Sequence, residues 1–128
     1  MNPVGLFSAF RVQQKRTENA YTCSLVLNDS LPDALPGQFV MAWLPGIDER
    51  PFSLSDNDPV RITVADVGSF SHALNQLQPG DYLWLRGPLG RGFIPHGRSH
   101  LLLGGGYGAA PLSFLAKSLC AQGDQVGV

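Results

Sequence analysis

The sequence predicts a mainly β fold: a six-stranded antiparallel barrel with one short helix, followed by the opening of a β-α-β unit. Three observations predict it. Short apolar and β-branched runs alternate with turn-forming residues from Leu6 to Arg86, one helical pattern interrupts them after Ser71, and at Ser99 the pattern changes to strand, glycine turn and helix.

The candidate strands are 6–14, 21–28, 39–44, 51–54, 60–67 and 82–86, each rich in residues that suit a pleated, half-buried surface. Between them stand Asn28-Asp29-Ser30, Pro36-Gly37, Pro45-Gly46, Asn57-Asp58-Pro59, Pro79-Gly80 and Gly87-Pro88, all turn formers. Six strands suffice to close a barrel. In the short helix Ser71 is expected at the N-cap, with Ala73, Leu74 and Leu77 on one face and Pro79-Gly80 as the stop. After Ser99, the apolar segment 100–103 reads as a strand, Gly104 to Gly108 as a glycine turn, and Pro111 as the first helical residue. Leu112, Leu115, Ala116 and Leu119 then form one buried stripe, Gly123 ends the helix, and 125–128 begins another strand.

With 128 residues the chain suits one domain of ordinary size, and 44% hydrophobic with 15% charged residues is a globular composition. Residues 1–97 are expected to form the barrel and 98–128 to begin a second domain. A β-α-β opening cannot cover both faces of a parallel sheet, so that domain is expected to be incomplete. Nine basic against ten acidic residues, with no basic cluster beyond Lys15-Arg16, argue against a nucleic-acid partner. No apolar run is long enough to span a bilayer and no signal core follows the amino terminus, so a cytoplasmic protein without a membrane partner is expected. Cys23 and Cys120, like His72, His96 and His100, lack metal-ligand spacing; both cysteines are expected to be buried and no metal site is assigned.

Three segments carry candidate chemistry. Arg50-Pro51-Phe52-Ser53 combines a cation for phosphate, an aromatic surface and a hydroxyl, which is what a flavin requires. Strand alternation puts Arg50 and Phe52 on one face and Ser53 on the other, so a bulge or turn must bring them together. Gly68-Ser69-Phe70-Ser71 opens the short helix, where free N–H groups favour an anion. Gly104 to Ala109 spells the Gly-x-Gly-x-x-Gly/Ala fingerprint between a strand and a helix, the context in which it binds a dinucleotide.

Three longer stretches carry a resemblance. They are Pro36-Gly37-Gln38-Phe39-Val40-Met41 leading through Trp43 and Pro45-Gly46 to Arg50-Pro51-Phe52-Ser53, Gly87-Pro88-Leu89-Gly90-Arg91-Gly92-Phe93, and Leu103 to Leu112. In this order they resemble the ferredoxin–NAD(P) reductase superfamily, and within it the electron-transfer subunits of NAD-dependent dihydroorotate dehydrogenases. The resemblance implies a Greek-key barrel that binds FAD, with Arg50 at the phosphates, Pro51 and Phe52 beside the flavin, and Ser53 near its N5. It further implies that Thr63, Val64 and Ala65 flank the cofactor by their backbone. Gly68, Phe70 and Ser71 would lie at the pyrophosphate, where Phe70 departs from the family's usual Gly-Thr. Gly105, Gly106, Tyr107, Gly108 and Ala109 would approach NAD.

The implied function is a flavin-dependent oxidoreductase component in pyrimidine biosynthesis, passing electrons between an FMN-carrying dehydrogenase subunit and NAD. A [2Fe-2S] centre is implied only if a cysteine cluster follows residue 128. No catalytic residue is assigned, because the cofactor performs the chemistry. Hydrogenase or oxygenase reductase subunits, and a barrel that has lost its flavin, remain alternatives; a homodimer is left open. The chain alone is expected to bind flavin yet oxidise NADH no faster than free flavin.

Overall fold

The computed structural model describes residues 6–93, 97, 99–101 and 109–127. Six strands, β1 (Ser8–Asn19), β2 (Thr22–Leu27), β3 (Phe39–Leu44), β4 (Asp48–Asn57), β5 (Val60–Ala65) and β6 (Tyr82–Leu89), close a barrel in the order β1-β2-β5-β4-β3-β6. Every neighbouring pair is antiparallel, and the order is that of a Greek key. The expected fold class is the observed one.

Alternation builds the core. Val40, Ala42 and Leu44 of β3, and Val60, Ile62 and Val64 of β5, point inward at every second position. They meet Phe10, Val12, Leu25, Leu27, Leu54, Leu83 and Leu85 in one cluster. Each large side chain so buried contributes roughly 1.5–3 kcal/mol.

Three strands run further than their apolar patterns: β4, expected at 51–54, spans Asp48–Asn57, and β1 and β6 are also longer. β1 continues to Asn19 because it serves two neighbours, pairing Ser8 to Arg11 with β6 and Val12 to Asn19 with β2. Its second half is largely exposed and polar, held by backbone ladder bonds that leave no trace in hydrophobic periodicity. β6 runs through Gly87-Pro88, which is therefore not a turn between elements. The register shifts opposite this point, between Phe39 and Met41, and Gly87 adopts φ 142°. A bulge absorbs the dipeptide.

The helix α1 (Ser69–Asn75) differs from expectation at its start: Gly68 is the N-cap and Ser71 lies inside the first turn. The Ser71 hydroxyl reaches back to accept from the N–H groups of Val67 (2.9 Å) and Gly68 (3.0 Å) and donates to the Gly68 carbonyl (3.1 Å). A glycine cap has no side chain to reciprocate, so Ser71 does the capping from within. At the other end Lys15 Nζ donates to the Asn75 carbonyl.

Beyond the barrel, β7 (Ser99–Leu101) and β8 (Gln125–Gly127) pair in parallel around α2 (Ala109–Ala121). The helix begins two residues before Pro111, which still lies in the first turn, where its missing N–H costs nothing. Leu115 and Leu119 are buried as expected, but so is Phe114, which joins the barrel core. Cys23 is buried and its thiol is pushed up by burial, partly opposed by Lys15, whereas Cys120, also expected to be buried, is exposed.

Candidate functional site

β4 changes partners along its length. Asp48 to Ser53 pairs with β3, but only Leu54 to Asn57 pairs with β5. The outer half of β5 pairs with β2 instead, through Thr22↔Ala65 and Ser24↔Thr63. β4 and β5 therefore part, and a cleft of about 1020 Å³ opens between them. This volume suits a cofactor-sized ligand, since such sites run from roughly 300 to 1,000 Å³.

The parting also answers the problem of alternation. A strand with no neighbour on one side exposes both of its faces to the gap, and Arg50, Pro51, Phe52 and Ser53 all line the cleft. Arg50 holds Asp48 at 2.7 Å and donates to the Glu49 carbonyl at 3.0 Å. Phe52 and Phe70 stack with centroids 6.1 Å apart and planes 30° apart, giving the cleft an apolar wall. Thr63, Ala65, Gly68, Phe70 and Ser71 line it as well. The Val64 side chain does not: it is fully buried in the barrel core, as alternation between two outward neighbours requires. Gly105, Gly106, Tyr107 and Gly108 lie outside the described residues, as does His96; Ala109 opens α2.

Sequence reasoning missed Arg16, Glu18, Ser24, Arg61 and Ser113, all of which line the cleft. The signal was present for two of them. Ser24 and Arg61 alternate with the core residues Leu25 and Ile62, which places them on the outer barrel face. Arg61 Nη2 donates to the Ser55 carbonyl at 3.3 Å and to Ser113 Oγ at 2.9 Å, tying α2 to the barrel. Its Nε is buried and has no hydrogen-bond partner among the described residues. Three arginines against Glu18 make the charged lining predominantly cationic, so the residues present fit an anionic ligand with an apolar, planar portion.

Ser71 has no hydrogen-bonding capacity to spare, because its one hydrogen and both lone pairs are in use. Ser71→Ala is expected to lower stability by about 1–2 kcal/mol through the lost cap, equally with and without a ligand in the cleft. Urea titrations of both forms check this, and a larger loss in the ligand-bound form would place the hydroxyl on the ligand.

No protein-family model matches the chain. Among solved structures, the barrel superposes on the NADH-dependent reduced ferredoxin-NADP oxidoreductase (TM-score 0.82, 26% identity, covering 96% of this chain and 48% of that one). It also superposes on the FAD/NAD-binding domain of nitric oxide dioxygenase from Vibrio cholerae (TM-score 0.76, 29% identity, covering 89% and 57%). The fold is thus that of the FAD-binding barrel in ferredoxin-reductase-like proteins. More particularly, the chain is homologous to proteins named "Probable dihydroorotate dehydrogenase B (NAD(+)), electron transfer subunit". It is 54% identical to that of Thermococcus kodakarensis over 82 residues (64% of this chain, 34% of the relative). It is 38% identical to that of Methanocaldococcus jannaschii over 109 residues (85% and 42%). The chain spans about a third to two fifths of the length of these relatives.

Proposed function

We propose that the cleft between β4 and β5 binds FAD and that the protein carries electrons between a partner dehydrogenase subunit and NAD in dihydroorotate oxidation. The observation that supports this reading most is the gathering of Arg50, Phe52, Ser53, Thr63 and Phe70, from three separate elements, around one cationic, aromatic-walled cleft. When bound, the flavin supplies reversible electron and hydride chemistry. This chain's residues bind and orient it. Arg50 would exchange its Asp48 contact for a phosphate, Phe52 and Phe70 would cover apolar surface, and Ser53 would offer a hydroxyl beside the ring.

The barrel, residues 1–97, would be the flavin domain, and 98–128 would contribute the glycine turn of an NAD-binding domain. The partner would be a catalytic subunit carrying FMN, and the location cytoplasmic. Among the described residues no helix is long and apolar enough to cross a membrane.

Absorbance of the purified, untreated protein tests the reading. A band at about 450 nm, with FAD rather than FMN released on denaturation, is the expected result for a flavoprotein of this kind. Protein that is colourless as isolated and fails to take up added FAD would overturn it.

A further inference from the structure

Four side chains on four barrel strands form a hydrogen-bonded chain, and three of them, Glu18, Ser24 and Thr63, line the cleft. Ser24 Oγ donates to Glu18 Oε1 at 2.8 Å, Ser24 and Thr63 share a bond of 3.0 Å, and Thr63 and Ser55 share one of 2.9 Å. Ser24 and Ser55 are 2% and 1% exposed, so these are their settled partners. The end of the chain fixes the direction of every hydrogen in it. An ionised carboxylate only accepts, and each hydroxyl has one hydrogen. Ser24 spends its hydrogen on Glu18, Thr63 must then donate to Ser24, and Ser55 must donate to Thr63.

Ser24 and Thr63, which both line the cleft, are each left with one free lone pair and no hydrogen to offer. Such a pair repels phosphate oxygens and accepts from ligand O–H groups. We infer that the Ser24–Thr63 pair, its hydrogens committed within the chain that ends on Glu18, is a hydroxyl-accepting subsite, which recognises the vicinal hydroxyls of a sugar or polyol and holds the ligand's anionic part toward the arginines. Within the flavin reading, on which this rests, the ligand hydroxyls belong to the ribityl chain or to the ribose of the adenosine half.

The test uses uncharged ligands, so that the arginines do not by themselves favour one of a pair. Affinities of the wild-type and Ser24→Ala/Thr63→Val proteins are measured for riboflavin and for lumiflavin, which lacks the ribityl hydroxyls, and for adenosine and its 2′,3′-dideoxy analogue. The double substitution removes both accepting hydroxyls at nearly constant side-chain volume and without altering charge.

The wild type is expected to prefer the hydroxylated member of one pair by about fivefold or more per hydroxyl engaged, and Ser24→Ala/Thr63→Val to lose that preference with the affinity for the other member unchanged. Loss within the flavin pair assigns the ribityl chain, and loss within the adenosine pair assigns the ribose. Absence of any wild-type preference, or a preference that survives Ser24→Ala/Thr63→Val in both pairs, overturns the inference. Failure of both flavins to bind defeats the flavin reading instead, and the adenosine pair then decides this one alone.

Discussion

Gly37→Ala is expected to lower stability by about 2–4 kcal/mol, whereas Gly46→Ala should cost only about 1 kcal/mol, although the two glycines share a backbone region open mainly to glycine. Gly37 has φ 97° and Gly46 φ 80°, so the conformational penalty of a Cβ is similar at both. Their surroundings differ. A Cβ on Gly46 would meet nothing within 4 Å, but one on Gly37 would lie 2.8 Å from the Phe93 backbone nitrogen and 3.1 Å from its ring. That nitrogen cannot retreat, because its N–H is bonded to the Pro36 carbonyl at 2.7 Å. Gln38 fastens the same junction, donating from Nε2 to the Gly90 carbonyl at 2.9 Å. The Pro36-Gly37-Gln38 turn and the Gly90 to Phe93 segment are thus one clamp across the end of the barrel. Thermal and urea denaturation of the two variants decide it, and equal losses would show that the close approach contributes nothing.

This clamp bears on what the sequence could reveal. Two of the stretches that carried the resemblance, Pro36 to Met41 and Gly87 to Phe93, meet here for reasons of packing, with Gly92 also too close to Leu35 and Pro36 to admit a side chain. Their recognisability comes from backbone geometry and does not locate the ligand. Inward alternation in β3 and β5, and the glycine and proline turns, made the barrel legible because burial leaves a period of two in the residues themselves. The second half of β1 left no such period, since ladder bonds hold it while its side chains face water. Glu18 and Arg16 sit on that half, and so went unseen as site residues. Ser71 lines the cleft, but it caps the helix from inside the first turn and not from the cap position, because sequence cannot distinguish a hydroxyl at the cap from one a turn inside that reaches back. Ser113 and Arg61 meet across 52 residues of chain, a contact that no local pattern encodes.

Arg50→Ala is expected to weaken FAD binding by about 10- to 100-fold, the worth of one charge-assisted hydrogen bond to phosphate at roughly 1.5–3 kcal/mol. Two features of the cleft set that figure. Arg50 already pairs with Asp48, and its side chain is 56% exposed, so the ligand gains only the difference between a phosphate and a solvent-screened carboxylate. Arg16 and Arg61 also face the cleft, so removing one of three cations leaves binding weakened and not abolished. The same reasoning makes Asp48→Asn a gain: freed from its carboxylate, Arg50 should bind FAD a few-fold more tightly. Arg11→Ala, on the β6-paired part of β1 and absent from the cleft lining, serves as the control and should leave affinity unchanged. Fluorescence titration of the four proteins with FAD at two ionic strengths is the measurement. A screened phosphate contact predicts that the difference between wild type and Arg50→Ala shrinks as salt rises. If Arg50→Ala and Arg11→Ala bind alike, the phosphates lie elsewhere, and Arg61, whose buried Nε has no partner among the described residues, becomes the cation to substitute next.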